Sequence, residues 1–346
     1  MKQYAFIIIL LAICAASLAS CRAANAQEGS EREVVSTAPL RSKGRGKSEM
    51  RSDWMSRANY GVFFHYLPSG PDYQKQIDSF DVEGFAEQMS KAGAGYVFMT
   101  LGQNSGWYCS PNATYEKYIG CRPHEKCSRR DLPMEVGKAL AKRHIRFCLY
   151  LPSRSPQRDA HAMEALHDVN EGQPAPQEFT HLWSEVIREW SRRYGRLVSA
   201  WWFDGSYNTA GWDDLTKPYS WKSWATATRA GNPNSLIAFN PGTDLTKAFT
   251  ALTSEQDYTA GEQNNWDATP ANYPCPASLQ WQILTFLGSS WAAADGPKQT
   301  DADLIDYIKR VNKLGGAVTM DVHVSMDGKV YPPALAQLEA VRKAIR

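Results

Sequence analysis

The chain has 346 residues, 43% of them hydrophobic, and a formal net charge of +2. That length and apolar content suit one large domain with a sizeable core, and so small a charge excludes a nucleic-acid or polyanion binder that works by bulk charge. Twelve Trp, sixteen Tyr and twelve Phe give aromatic faces that stack on sugar rings or bases, or simply fill a core.

At the N-terminus, Lys2 precedes the apolar run AFIIILLAICAASLAS, too short to span a bilayer comfortably and followed by small residues. Two processing sites compete. LASC, Leu18 to Cys21, resembles a bacterial lipobox with Cys21 as the lipidated residue, whereas ANA, Ala24 to Ala26, suits ordinary signal-peptide cleavage. The lipobox is preferred, because small residues directly before a Cys at the end of such a run are uncommon by chance. Both imply export to the periplasm or cell envelope, with a lipid anchor at Cys21 as the one expected tie to a membrane. The expected organisation is a leader over 1–21, a polar linker over 22–53 rich in Gly, Ser and charge, and one domain over 54–346.

Within that domain, strand-like and helix-like segments alternate. YGVFFHY (60–66), YVFMTL (96–101), RFCLYL (146–151), LVSAWWF (197–203), LIAFNPG (236–242) and AVTMDVHV (317–324) are short runs rich in β-branched and aromatic residues. Most are apolar on both faces, as parallel strands covered on both sides should be. Helical patterns fall at 81–93, at 132–144 with Pro133 in the first turn, at 177–195, and at 301–316 with Thr300 as cap and Gly315 as stop. This alternation predicts an α/β fold, best fitted by a (β/α)8-type barrel. The phosphate-binding glycine motifs and the G-x-S-x-G elbow are absent, and no internal repeat is visible. No cofactor is expected. Cys109, Cys121 and Cys127 lie close in sequence, which predicts a local disulfide in an exported chain. His124 between Cys121 and Cys127 invites a zinc reading that no nearby fourth ligand completes, so no metal is expected.

In a barrel, chemistry gathers where strands finish. Those ends carry His65, Gln103 with Asn104 and Trp107, Arg154, Asp204, Asn240, and the acids of SEQDYTAGEQN, namely Glu255, Asp257 and Glu262. Amides, an imidazole and indoles suit recognition of hydroxyls and sugar faces. Asp204 set against one of the later acids suits glycoside hydrolysis, which needs two carboxylates flanking one bond. Blander readings stand beside these. Asp204-Gly205 fits turn chemistry, Glu262 fits a solvated loop acid, and Trp201 and Trp202 point to opposite faces, so at least one is core.

Six stretches, in order, resemble family 29 glycoside hydrolases, the α-L-fucosidases. WMSRANYGVFFHYLPSG (54–70) resembles their opening strand, DVEGFAEQMSKAGAGYVFMTL their next helix and strand, and DLPMEVGKALAKRHIRFCLYLPSRSP the segment ending in GLYYS. RRYGRLVSAWWFDGSYN resembles the nucleophile strand, DYTAGEQN the stretch carrying the general acid/base, and the region from Val311 the closing pattern. The resemblance covers about 54 to 346. It implies a TIM-like barrel as a single catalytic domain without the C-terminal β-sandwich of many members. It further implies an exo-acting, retaining hydrolase of terminal α-L-fucosyl or related residues in glycans, with Asp204 as nucleophile and Glu262 as acid/base. His65, Gln103, Asn104, Trp107, Trp202 and Asn240 are the expected sugar-binding residues. One departure is prominent: the family's HHDGF reads QNSGW at 103–107, so Gln103 and Asn104 replace two imidazoles. That change points also to a different or modified sugar, and a non-catalytic carbohydrate-binding relative is the reading from another class.

Overall fold

A computed structural model of the chain describes residues 50–345 apart from Pro274. The expected leader with Cys21, and the expected linker up to residue 49, lie outside the described residues. Arg51, still inside that expected linker, already ion-pairs with Asp257 at 2.6 Å.

Seven parallel strands form one sheet: β1 (Tyr60–Phe64), β2 (Tyr96–Thr100), β3 (Arg146–Pro152), β4 (Val198–Asp204), β5 (Leu236–Phe239), β6 (Gln282–Phe286) and β7 (Ala317–Asp321). Their order is β5-β4-β3-β2-β1-β7-β6, so β1 lies inside the sheet and pairs with both β2 and β7. The edge strands β5 and β6 are joined by an irregular stretch, residues 257–263. Asp257 donates its backbone N–H to Ile237 on one side, while Thr259 donates to Gln280 and Leu284 donates to Gly261 on the other. The sheet thereby curls into a (β/α)8-like barrel in which this stretch stands at the eighth position.

Two separate apolar clusters follow from strand alternation. Phe63, Phe98, Tyr150, Trp202, Tyr258 and Leu284 belong to the cluster inside the ring. Val62, Val97, Leu149, Trp201 and Ile283 belong to the larger cluster between sheet and helices. Trp201 and Trp202 fall on opposite faces, as their adjacency requires.

The four helical patterns appear as Val82–Lys91, Leu132–Ala141, Gln177–Tyr194 and Asp301–Lys313. Asp81, Asp131 and Thr300 cap three of them, each accepting from a backbone N–H of the first turn. Pro133 sits in the first turn, where its missing donor costs nothing. The sequence reading does not single out β6. Its apolar run is broken by glutamines at 280 and 282, yet Gln282 is buried and satisfied, donating to Ala260 O at 3.1 Å and accepting from Thr319 Oγ1 at 2.9 Å.

The expected disulfide is not formed: Cys109, Cys121 and Cys127 are free thiols. Cys109 is buried and its thiol donates to the Thr100 carbonyl at 3.4 Å, so closeness in sequence does not bring the sulfurs together here.

Candidate active site

A cavity of about 300 Å³ opens at the C-terminal ends of the strands, lined by Phe63, His65, Leu67, Gln103, Tyr150, Trp202, Asp204, Glu262, Leu284, Trp291 and Ala292. Its floor is the top of the inner cluster. The Tyr150 and Trp202 rings, paired across β3 and β4, stack there with centroids 5.5 Å apart.

Asp204 ends β4, and Gly205 follows it with φ +74°. That left-handed turn, open to glycine, aims the Gly205 N–H at Asp204 Oδ1 at 2.8 Å. The turn reading of Asp204 is therefore met, and its carboxylate at the same time faces the cavity. Oδ1 also accepts from Asn240 Nδ2 at 2.8 Å, and Oδ2 accepts from the Tyr150 hydroxyl at 2.7 Å. The Tyr150 hydroxyl in turn accepts from Gln103 Nε2 at 2.8 Å. Burial, then the charge of Asp204, holds the Tyr150 phenol well above its usual pKa, so it remains a donor.

Glu262 lies on the irregular stretch, one residue past Gly261. Its Oε2 accepts from the same Asn240 Nδ2 at 2.5 Å. One nitrogen thus binds both carboxylates, at 2.8 Å to Asp204 and 2.5 Å to Glu262, so their two bound oxygens lie no more than about 5.3 Å apart. Burial and then the Asp204 charge raise the Glu262 pKa to about 7, against the opposing Asn240 hydrogen bond and the His65 charge. Since Oε2 is occupied by a donor, a proton on Glu262 sits on Oε1.

His65 follows β1 and binds the carboxylate of Asp321 through Nδ1 at 2.9 Å. Burial opposes its charge, but Asp321 first, and then Asp204 and Glu262, outweigh burial and raise its pKa above the ordinary value. Asp321, at the end of β7 and 1% exposed, accepts from the backbone N–H of Ala292 with its other oxygen. Ala292 adopts φ +55° to make that contact, a strained conformation that places its backbone in the cavity wall.

The structure thus brings together Asp204, Glu262, His65, Gln103, Trp202 and Asn240. It does not bring in the others. Asn104 is absent from the cavity lining and offers its backbone carbonyl to Arg158. The Trp107 ring packs on Tyr73 at 4.6 Å with Lys126 over its face, because the chain turns outward after β2. Glu255 and Asp257 pair with Arg229 and hold the segment rather than the site. Arg154 is buried against Asp168. Tyr150, Asp321 and Trp291 are site residues the sequence reading misses. The signal for Tyr150 was a hydroxyl carried by an otherwise apolar strand.

A family model described as Alpha-L-fucosidase matches residues 37–344. The chain belongs to the α-L-fucosidase family, glycoside hydrolase family 29. No curated protein matches it significantly. Among solved structures it is similar to the endo-fucoidan hydrolase MfFcnA4 from glycoside hydrolase family 107, with 19% identity over 84% of this chain and 53% of that one and a TM-score of 0.66. This chain thus spans about half the length of that protein. The family 107 endo-fucoidan hydrolase P5AFcnA shares 14% identity over 85% of this chain and 93% of that one, with a TM-score of 0.65. The α-L-fucosidase AlfC from Lactobacillus casei, in complex with α-L-fucose product, shares 16% identity over 85% and 97%, with a TM-score of 0.58. At such identities these three likenesses speak for the barrel fold alone.

Proposed function

We propose that this member of the family is an exported, retaining exo-glycosidase that removes terminal α-L-fucosyl or closely related residues from glycans. The observation that carries the reading is the Asp204–Asn240–Glu262 arrangement, in which one amide nitrogen holds both carboxylates close together, on the short side of the spacings that distinguish double displacement from single displacement. In the first step an Asp204 oxygen forms a bond to the anomeric carbon as the glycosidic C–O bond breaks, and the leaving oxygen takes the Glu262 proton. Asp204 Oδ2, which accepts one hydrogen bond where Oδ1 accepts two, is the oxygen with room to attack. In the second step Glu262, now a carboxylate, takes a proton from water as that water displaces Asp204. Two inversions return the original configuration. A fucose-like glycone is supported by the family to which the chain belongs.

Gln103 favours a finer point. Its amide N–H is engaged by Tyr150, and Asn104 stands away from the cavity, so neither takes the place of a cationic sugar-binding imidazole. Plain aryl fucosides are therefore expected to be poor substrates beside a modified fucoside or a related sugar, since an unpaired buried polar group is costly.

Glu262 must hold its proton to serve the first step, so kcat/KM should fall as pH rises through about 7. In Glu262→Ala that limb should vanish on nitrophenyl substrates, which leave unprotonated, and added azide should accelerate the second step. An alkaline limb unchanged in the variant assigns the proton to another group.

A further inference from the structure

Two side chains at the rim are unused by this mechanism. Tyr207 is 50% exposed in a protein that buries most of its aromatic rings. Its ring lies against the backbone of Gly242, where an added Cβ would meet Cε1 at 3.3 Å. Glu171, from the loop after β3, brings Oε2 to 3.6 Å from the position a Cβ would take on Gly205, the residue after Asp204. Among the described residues neither the Glu171 carboxylate nor the Tyr207 hydroxyl has a hydrogen bond or an ion pair.

The loops that present them are firmly tied. The Arg154–Asp168 pair is almost fully buried, and Arg154 also donates to the carbonyls of Val169 and Gln173. Glu171 donates its backbone N–H to Gln157 Oε1 at 3.0 Å, and Asn208 Nδ2 reaches Gly172 O at 3.2 Å. Ser206 donates to Asn240 O, and Gly242 to Asn240 Oδ1. The residue that links the two catalytic carboxylates therefore also links them to this rim.

We propose that Tyr207 and Glu171 form the subsite for the leaving-group sugar, and that this sugar is uncharged: its ring lies on Tyr207 and its hydroxyls donate to Glu171. The proposal rests on the glycosidase reading of Asp204 and Glu262. With the glycone on the aromatic floor, the leaving group points out to the rim, where the loops after β3, β4 and β5 meet. An exposed phenol ring offers a sugar an apolar face, and an unpaired carboxylate accepts two or more hydroxyl donors. The charge follows from what is missing. Among the described residues Arg154 is the one cation that acts on Glu171 and none acts on Tyr207, and Arg154 is already paired with Asp168. A sulfated or carboxylated leaving sugar would thus meet Asp204, Glu262 and Glu171 with no cation to pair it. Burial and then the Asp204 charge raise the Glu171 pKa, against the opposing charge of Arg154.

The test uses the full chain and its Tyr207→Ala and Glu171→Gln variants. The substrates are fucosyl fluoride, a fucosyl disaccharide with a neutral leaving sugar, and the same disaccharide sulfated on that sugar. Tyr207→Ala should lower the disaccharide-to-fluoride ratio of kcat/KM about tenfold, the size of a lost aromatic contact. Glu171→Gln should raise the sulfated-to-neutral ratio by about tenfold, as removal of a nearby like charge predicts. Unchanged ratios overturn the proposal, as does a parallel fall on all substrates, which marks a structural role. Restoration of Glu171→Gln turnover by azide also overturns it, because Glu171 would then be the proton donor. Wild-type protein inert even towards fucosyl fluoride would instead reject the fucosidase reading, and this subsite with it.

Discussion

Asn240 has two amide hydrogens, and both are committed to carboxylates, one on Asp204 and one on Glu262. That single side chain fixes their spacing and leaves Glu262 Oε1 to carry the proton. Tyr150 completes the set on the other side of Asp204, donating to Oδ2; under the proposed mechanism it would steady the charge that returns to Asp204 in the second step. Tyr150→Phe removes one hydrogen bond to a charged group, a loss of about 1.5–3 kcal/mol. The variant should fold normally and lose about tenfold to a hundredfold in kcat. Kinetics beside circular dichroism would check this, and near wild-type kcat would remove Tyr150 from the machinery. At this scale the placement of Asp204 was legible in the sequence, because an apolar strand that stops on an acid delivers that acid to the end of the barrel. Glu262 was legible only through its family-like context. Tyr150 was not read, since its one signal, a hydroxyl in an apolar run, does not by itself tell which face of the strand meets the cavity. Trp107 misled: it follows a strand end, but the chain turns its ring toward Tyr73 and Lys126.

Among the elements, the least regular one carries Glu262. Residues 257–263 bond to β5 through Asp257 and to β6 through Thr259, Gly261 and Gln263. They are also pinned from inside, as Tyr258 donates to Trp201 O at 2.8 Å and Trp202 Nε1 to Ala260 O at 3.1 Å. Gly261 has φ +68°, and a Cβ there would sit 2.0 Å from Gln282 O, a backbone atom. Gly261→Ala should therefore cost at least about 2 kcal/mol of stability through left-handed strain and the clash. Because Glu262 is the next residue, activity at low temperature should fall further than the folded fraction does. Thermal unfolding and kcat measured together decide this, and a variant with wild-type values for both would mean that the stretch runs elsewhere. Six of the seven strands were readable as apolar, β-branched runs. β6 and the irregular stretch were not, because buried glutamines and a glycine-interrupted segment carry their polarity into the sheet, where only tertiary partners satisfy it. The short helices, such as Tyr73–Asp78 and Ala160–Ala165, span too few turns to show a period.

Across the whole molecule the two apolar clusters divide the work. The outer one binds helices to the sheet, and the inner one fills the ring up to the level at which Tyr150 and Trp202 become the cavity floor. Polar groups from the ends of β1, β3, β4, β5, β7 and the irregular stretch then converge above that floor, which is how a barrel delivers distant residues to one point. In the proposed reaction Asp204 bonds to the sugar while Glu262 handles the proton. A fucosyl fluoride bearing a second fluorine beside the anomeric carbon slows both steps but leaves through a good leaving group, so the covalent intermediate accumulates. Digestion and mass spectrometry of the protein treated with it should find one added fluorosugar on the peptide containing Asp204, and none in Asp204→Asn. A sugar attached to any other carboxylate, Glu171 included, or turnover of the fluoride with inversion and no adduct, would contradict the account.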